Sequence, residues 1–371
     1  MQMKPVNVAM IGVGCISGIY LENIHNVFKD IRLLGVCDLV RERAENAQKK
    51  YNIPKLYETM YDAFNDPEVE LVLNLTRPYE HFAVSKAALE AGKHVYSEKP
   101  LGASLEEGLE LKRLAESKGL RMGGAPDTFM GAGIQTCRRL IDDGYIGDIV
   151  GSAAFMICHG HETWHPDPDF YYQYGGGPMM DMGPYYLTAL VNLCGGIRRV
   201  MSASKKSFDK RLITSQPFAG TEINVNVNTY IAGTIQYDNG AIGTLFTTFD
   251  VYYPYQARFE IYGSRGTLFV PDPNCFGGPV KLFRPEDGEV REIPLMYAYK
   301  ENSRGLGLDD MAVAIRTGRK ARADYTQTFH VLDAMTGFER SAASGEWVEM
   351  STKYERAKAM VVPKLTGVLD E

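Results

Sequence analysis

Three short stretches of the 371-residue chain concentrate residue types that chemistry needs. In "GVGCISG", residues 12–18, Gly12 and Gly14 follow an apolar run. Such a turn brings backbone amides, those of Cys15 and Ile16 among them, against a pyrophosphate at a helix N-terminus. Ser17 stands where a third glycine would sit and adds only a hydroxymethyl before Gly18. In "YSEKP", residues 96–100, Glu98-Lys99-Pro100 follows an apolar run and brings a cation to the mouth of a cofactor crevice. In "GGGPMMDMGPYY", residues 175–186, Asp181 and Tyr185 are four apart, on one face of a helix whose first turn Pro178 suits.

Two further groups extend these stretches. Asp38 ends the second strand candidate, twenty residues beyond Gly18. An acid there hydrogen-bonds an adenosine ribose and repels a 2′-phosphate, which favours NAD over NADP. The alternatives are a strand-end turn aspartate and, for the cofactor, help from nearby Arg41 and Arg43. "NLTRPYEH", residues 74–81, leaves the third strong strand and sets Thr76, Arg77, Pro78 and His81 where a dinucleotide is met.

"CHGHETWHPD" holds His159, His161 and His165 close together. Were Phe155–His161 a strand, His159 and His161 would share a face, and Glu162 or Asp167 could complete a zinc or manganese site. The preferred reading assigns no metal. Trp164 stacks on a sugar face, His165 bonds ring hydroxyls, and the tyrosines of "FYYQY" (170–174) adjoin them.

Apolar runs at Val6–Ile11, Leu33–Cys37, Leu71–Leu75, His94–Ser97 and Leu120–Gly124 alternate with helical stretches. The helices span Ser17–Val27, Arg41–Tyr51, Tyr79–Ala91 and Leu105–Ser117. That alternation predicts an α/β fold opening on a doubly wound parallel sheet, residues 1–124. Helices follow at Gly131–Asp143 and Pro178–Leu193, then a Val-, Thr-, Tyr- and Phe-rich stretch from about Val200 to Phe283. Asn239-Gly240 marks a hairpin within it. Helices at Gly307–Thr317 and Gln327–Ser344 complete a second, α+β domain, residues 125–371, with a large, mainly antiparallel open sheet.

The net charge of −6, without a dense Lys/Arg run, excludes a nucleic-acid track. Six scattered cysteines with no CxxC pair predict reduced thiols. No stretch reaches the roughly 20 apolar residues of a membrane span. Only Lys4 is basic before Val6, so no signal peptide is expected. The expectation is a cytoplasmic protein.

The glycine turn, "TRPYEH", "EKP" and "GGGPMMDMGPYY", in that order, resemble the Gfo/Idh/MocA family of NAD(P)-dependent oxidoreductases, and the resemblance covers essentially the whole chain. It implies a Rossmann domain followed by an α/β domain whose exposed sheet face builds a homo-oligomer. It also implies a cis Lys99-Pro100 bond and a Lys99 side chain directed at the substrate hydroxyl beside nicotinamide. An ammonium there stabilises a developing alkoxide.

Family members carry aspartate and then an acid/base histidine in the last motif; here Tyr185 takes the histidine position. Three proton acceptors follow: Tyr185 acidified by Lys99, Lys99 with a lowered pKa, or His165 supplying the imidazole. Lys99 and Asp181 rank first as site members, then His165, then Tyr185. The implied reaction passes a hydride from a secondary hydroxyl of a sugar, polyol or glycoside, carbon 3 of a glucosyl ring included, to NAD. Alternatives are an NAD-retaining glycosidase working by transient oxidation and elimination, and a non-catalytic NAD-binding regulator.

Overall fold

Val6, Val8, Ala9 and Met10 are fully buried, so the first strand is covered on both faces, as strands of parallel sheets are. A computed structural model, described over residues 3–253, 258–362, 367 and 369, shows what covers it. Strands β1 (Val6–Ile11), β2 (Ile31–Cys37), β3 (Lys55–Leu56), β4 (Leu71–Asn74), β5 (His94–Ser97) and β6 (Met122–Gly124) form one sheet. Their order is β3-β2-β1-β4-β5-β6, every pairing parallel. Helices α1 (Ser17–Asn26), α2 (Arg41–Tyr51), α3 (Met60–Asn65), α4 (His81–Glu90) and α5 (Leu105–Ser117) make the crossovers. The order reverses between β1 and β4, which opens a crevice at their carboxyl ends.

Helix α6 (Ala132–Asp142), strand β7 (Ile149–Ile157) and helix α7 (Gly177–Cys194) lead into the second sheet. Its remaining strands are β8 (Ile197–Lys205), β11 (Tyr230–Tyr237), β12 (Ile242–Thr248), β13 (Phe259–Gly263), β14 (Thr267–Phe269), β15 (Val280–Phe283), β16 (Val290–Ile293) and β17 (Val348–Glu349). A separate two-stranded ribbon pairs β9 (Lys210–Leu212) with β10 (Glu222–Asn224). The nine-stranded order is β16-β15-β14-β13-β7-β12-β11-β8-β17, antiparallel except between β7 and β12. Helix α7 and helix α9 (Tyr325–Ser344) pack on one face of this sheet. The turn at Asn239-Gly240 joins β11 to β12, as its sequence predicts.

After the second sheet the chain returns to the first. Helix α8 (Leu306–Thr317) packs at β6, and Asp127 receives the Gly305 and Gly307 amides (2.8 and 3.0 Å) where it begins. Arg316 of α8 grips Glu70 at 2.7 and 2.8 Å. Asn23 of α1 donates to the Asn302 and Arg304 carbonyls, both at 2.9 Å.

Three features depart from the sequence expectation. β3 and α3 are too short for their patterns to stand out. The period-two run from Ile223 to Tyr237 is split, because the amides of Val225 and Asn226 bond Asp209 and Tyr172 carbonyls instead of a ladder. β7 stops at Ile157, so His159 and His161 do not share a strand face.

Gly12 has φ of +95°, and a Cβ there would lie 2.7 Å from the Leu75 carbonyl oxygen. Gly12→Ala should therefore lower the unfolding free energy by roughly 2 kcal/mol. Denaturant melts of the variant and parent check this, and coincident curves would remove the steric argument.

Candidate active site

The glycine turn lies at the carboxyl end of β1. A Cβ built at Gly14 or Gly18 meets nothing within 4 Å, so the turn borders open space. No side chain caps α1 at Ile16, which leaves first-turn N–H groups free for an anion. These features fit a dinucleotide pyrophosphate. Cys15 is exposed and Ile16 half-buried, while Ser17 turns inward and its hydroxyl donates to the Gly14 carbonyl at 2.7 Å. Asp38 ends β2 with one carboxylate oxygen on the Val13 amide (2.6 Å) and the other on the Val40 amide (2.7 Å). Arg41 turns instead to Glu45 and Glu58, so its charge is already matched.

The motif after β4 splits in two. Thr76 stays at the rim, its hydroxyl donating to Asn74 Oδ1 at 2.7 Å, and Pro78 opens a single 3-10 turn. Arg77 faces Asp167 across the cleft at 3.6 Å. His81 lies under the rim, almost wholly buried, its ring between the carbonyls of Pro100 (2.7 Å) and Thr76 (3.0 Å). It braces the Lys99-Pro100 corner, whose peptide bond is cis. Glu98 is also buried; it accepts from Tyr20 Oη at 2.7 Å and from the Lys99 amide at 3.0 Å.

Lys99 leaves β5 and meets α7. Its Nζ donates to Asp181 Oδ1 (2.7 Å) and to the Asp181 carbonyl (2.8 Å). Helix α7 can come this close because of its glycine-led start. A Cβ at Gly176 would lie 2.5 Å from the Phe170 carbonyl, so glycine lets residues 170–171 pack against the helix entry. Pro184 inside α7 also withholds the N–H that would serve the Met180 carbonyl, loosening the turn that carries Asp181.

The electrostatics follow from this pairing. Burial works against the Lys99 ammonium, but Asp181, helped by Tyr185 and Glu98, holds its pKa above the ordinary lysine value. Burial likewise opposes the Asp181 carboxylate, and Lys99 and His161 overcome it, holding the group well below the usual range. A lysine base with a lowered pKa, one of three acceptors considered above, is therefore not what the resting site contains. An acidified Tyr185 is not present either. Burial raises that phenol, and Lys99 lies 5.2 Å over the ring centroid, opposing the rise without reversing it.

The imidazole at Asp181 belongs to His161, whose Nε2 donates to Oδ2 at 3.0 Å. Asp181 thus has one oxygen on Lys99 and the other on His161. His165 stands one ring further out, 5.2 Å from Tyr171, its Nδ1 accepting from the Asp167 amide at 3.1 Å. Burial lowers its pKa. Trp164 is 61% exposed at the rim, edge-on to both His161 and His165. Tyr171, ring to ring with His161 at 4.2 Å, completes this wall. From the sequence alone His161 suggests only a metal ligand. His159, its proposed companion, stacks instead on Tyr252 at 3.5 Å. Among the described residues no group of three or more His, Cys, Asp or Glu side chains could hold a metal ion.

A glycine turn open to an anion, with a strand-end lysine bonded to a helix aspartate beside it, defines a dinucleotide-binding oxidoreductase. Comparison with known proteins gives the family. Residues 6–124 match the model of the oxidoreductase family with an NAD-binding Rossmann fold, and residues 134–269 match the GFO/IDH/MocA C-terminal domain. The chain belongs to the Gfo/Idh/MocA oxidoreductases.

An uncharacterized oxidoreductase of Bacillus subtilis is 28% identical over 276 residues, 66% of this chain and 65% of its own length. The D-glucoside 3-dehydrogenase of Escherichia coli is 24% identical over 94% of this chain and 99% of its own. The structure of levoglucosan dehydrogenase in complex with NADH and L-sorbose superposes with a TM-score of 0.81 at 19% identity. That match covers 94% of this chain and 99% of the other, and at this identity it shows a shared fold.

Beneath the site, burial pushes the Asp127 carboxyl up to about 6, against the Gly305 and Gly307 amides that favour its charged form. Below its ordinary value of 3.8 the group is protonated in both folded and unfolded chains. Between there and about 6 the folded chain holds the proton more tightly, so stability falls as pH rises, and above that the loss is complete. The drop should amount to roughly 3 kcal/mol. Denaturant melts from pH 4 to 7 should show this slope in the parent and not in Asp127→Asn; equal slopes would refute the assignment.

Proposed function

We propose that the protein is an NAD-dependent dehydrogenase for a secondary hydroxyl of a sugar, polyol or glycoside, with carbon 3 of a glucosyl ring as the sharper candidate. The observation that carries this is the Lys99–Asp181 contact of 2.7 Å, which sets an ammonium beside the cofactor crevice. The glycoside assignment is supported by the D-glucoside 3-dehydrogenase relative, matched over 94% of this chain, and by the aromatic wall of Trp164, Tyr171 and His161. Residues 1–124 form the NAD-binding unit in this proposal, and residues 125–371 the substrate-binding and oligomerising unit.

The amides of Gly14, Cys15 and Ile16 would hold the pyrophosphate, and Asp38 the adenosine ribose. Nicotinamide supplies the hydride acceptor when bound. Lys99 donates a hydrogen bond to the substrate oxygen and stabilises negative charge as it grows there. Nζ passes one of its protons to Asp181 Oδ1 and, neutral for that moment, takes the hydroxyl proton as the hydride leaves, which restores the ammonium. His161 Nε2–H keeps the newly neutral carboxyl in place through Oδ2. The proton therefore leaves along Lys99–Asp181 through a transiently neutral lysine and without an ionised Tyr185.

The test is purified protein with NAD and a panel of glucosides, free sugars and polyols, followed by NADH absorbance and by mass spectrometry of keto products. Lys99→Met should lower kcat by roughly a thousandfold while NAD still binds. Absence of NADH and keto product across the panel would overturn the proposal. Release of aglycone without net NADH would favour the NAD-retaining glycosidase.

We also propose a cytoplasmic homo-oligomer built on the outer face of the nine-stranded sheet. All six cysteines are free thiols, which suits a reducing compartment. No helix among the described residues is long and apolar enough to cross a membrane. Met201, Thr234, Ile242 and Phe246 lie on neighbouring strands of the face away from α7 and α9, and Ile242 is 58% exposed. Exposed apolar side chains gathered on a sheet face mark an interaction surface. Sedimentation equilibrium should give an oligomer that Ile242→Lys weakens; a monomeric parent at micromolar concentration would refute it.

A further inference from the structure

His161 reaches Asp181 from the turn around Gly160, and a group distant in sequence bonds the residues on either side of it. Arg211, on the β9–β10 ribbon, is nine-tenths buried or more, as are the two carboxylates it joins. One guanidinium nitrogen donates to Glu162 Oε1 (2.9 Å) and the His159 carbonyl (3.3 Å). The other donates to the Phe249 carbonyl (2.7 Å) and Asp250 Oδ1 (2.5 Å). Each contact leads to His161 by a short path. Glu162 accepts from Tyr172 Oη, and that oxygen in turn accepts the His161 amide at 3.4 Å. The Phe249 ring packs 4.7 Å from the His161 imidazole. Backbone and ring of His161 are thus both fixed to the same guanidinium.

We infer that Arg211 is a positioning residue for the proposed reaction: it clamps the 159–162 turn to the 249–250 loop and so keeps His161 on Asp181. This inference rests on the proposed role of His161. The clamp needs a planar fork with donors on two sides, which a lysine ammonium cannot supply. Its loss would let His161 swing from Oδ2 while Lys99 stays on Oδ1. The consequence belongs to the chemical step, since the Arg211 and Glu162 side chains are both buried and come from outside the proposed NAD-binding unit.

The experiment measures kcat, KM and NAD affinity for R211K, E162Q, H161N and the R211K/H161N double variant, with the glycoside or polyol that the parent oxidises. R211K and E162Q should each lower kcat about tenfold or more, as supporting-shell changes do, with KM and NAD affinity within about twofold. Added to H161N, R211K should cost less than about twofold more, because its route of action is already gone. Multiplying losses, or a change confined to KM, would overturn the inference. Should R211K fail to fold, E162Q alone and with H161N gives the same cycle, since glutamine keeps the shape while removing the carboxylate that joins Arg211 to Tyr172. An H161N variant with parental kcat would sink the role of His161 itself. Lowered kcat in H161N beside parental kcat in R211K and E162Q would sink only the clamp.

Discussion

A buried ammonium without a counter-ion is among the costliest groups a fold can carry, and the pairing of Lys99 with Asp181 answers that constraint. The two side chains are each less than a fifth exposed and come from different sheets. Lys99 stands at the end of a Rossmann strand, and Asp181 one turn into a helix that belongs to the second sheet. The contact therefore requires the two halves to be registered to within a hydrogen bond. Much of the remaining architecture serves that register: the glycine-led entry of α7, the return of α8 to β6, and Asp127 bonding the amides where α8 begins.

The pair is also asymmetric in a useful way. Had Asp181 met Lys99 alone, its second oxygen would be a buried acceptor with nothing to bond. His161 fills that position, and a ring donating to a carboxylate holds the charge without moving it. The result is a site whose resting protonation is well defined, ammonium and carboxylate, despite burial that disfavours both. The ordering extends below, where Glu98 holds Tyr20 and the Lys99 amide, and His81 spans two carbonyls of the corner. Residues that looked like cofactor contacts in the sequence thus split into a rim, Thr76 and Arg77, and a buried brace, Glu98 and His81.

What could be read in the sequence followed from period and spacing. β1, α2, β5 and α5 fall at the residues their patterns name, because each has one dominant local signal. Asp181 and Tyr185 share a helix face as an interval of four requires, and the lysine after β5 reaches them. The choice among histidines was not legible. "HGHETWH" points to His165, and what sets His161 on Asp181 instead is tied to Arg211, some fifty residues away, with Phe249 still further on. A strand over Phe155–His161 was the wrong local frame, since β7 ends at Ile157 and the chain turns at Gly160. Nor does any periodicity reveal that residues beyond 300 return to the first sheet, because the apolar side chains of α8, Leu308 and Met311 among them, fix that the helix is buried and not which sheet it covers.

Cofactor choice shows how one residue can serve shape and recognition together. Asp38 is usually considered for the ribose it would meet, yet both its oxygens already hold backbone amides, one of them in the glycine turn itself. Each carboxylate oxygen has a further lone pair, so a ribose hydroxyl can be accepted without breaking the clamp. The same negative charge opposes a 2′-phosphate, and Arg41, three residues on, is turned to Glu45 and Glu58. In the proposed assignment, a preference for NAD is built into the same turn that holds the pyrophosphate. Relaxing it would take more than removing one acid, because the loss of Asp38 would also free the Val13 amide and with it the geometry of the phosphate cradle.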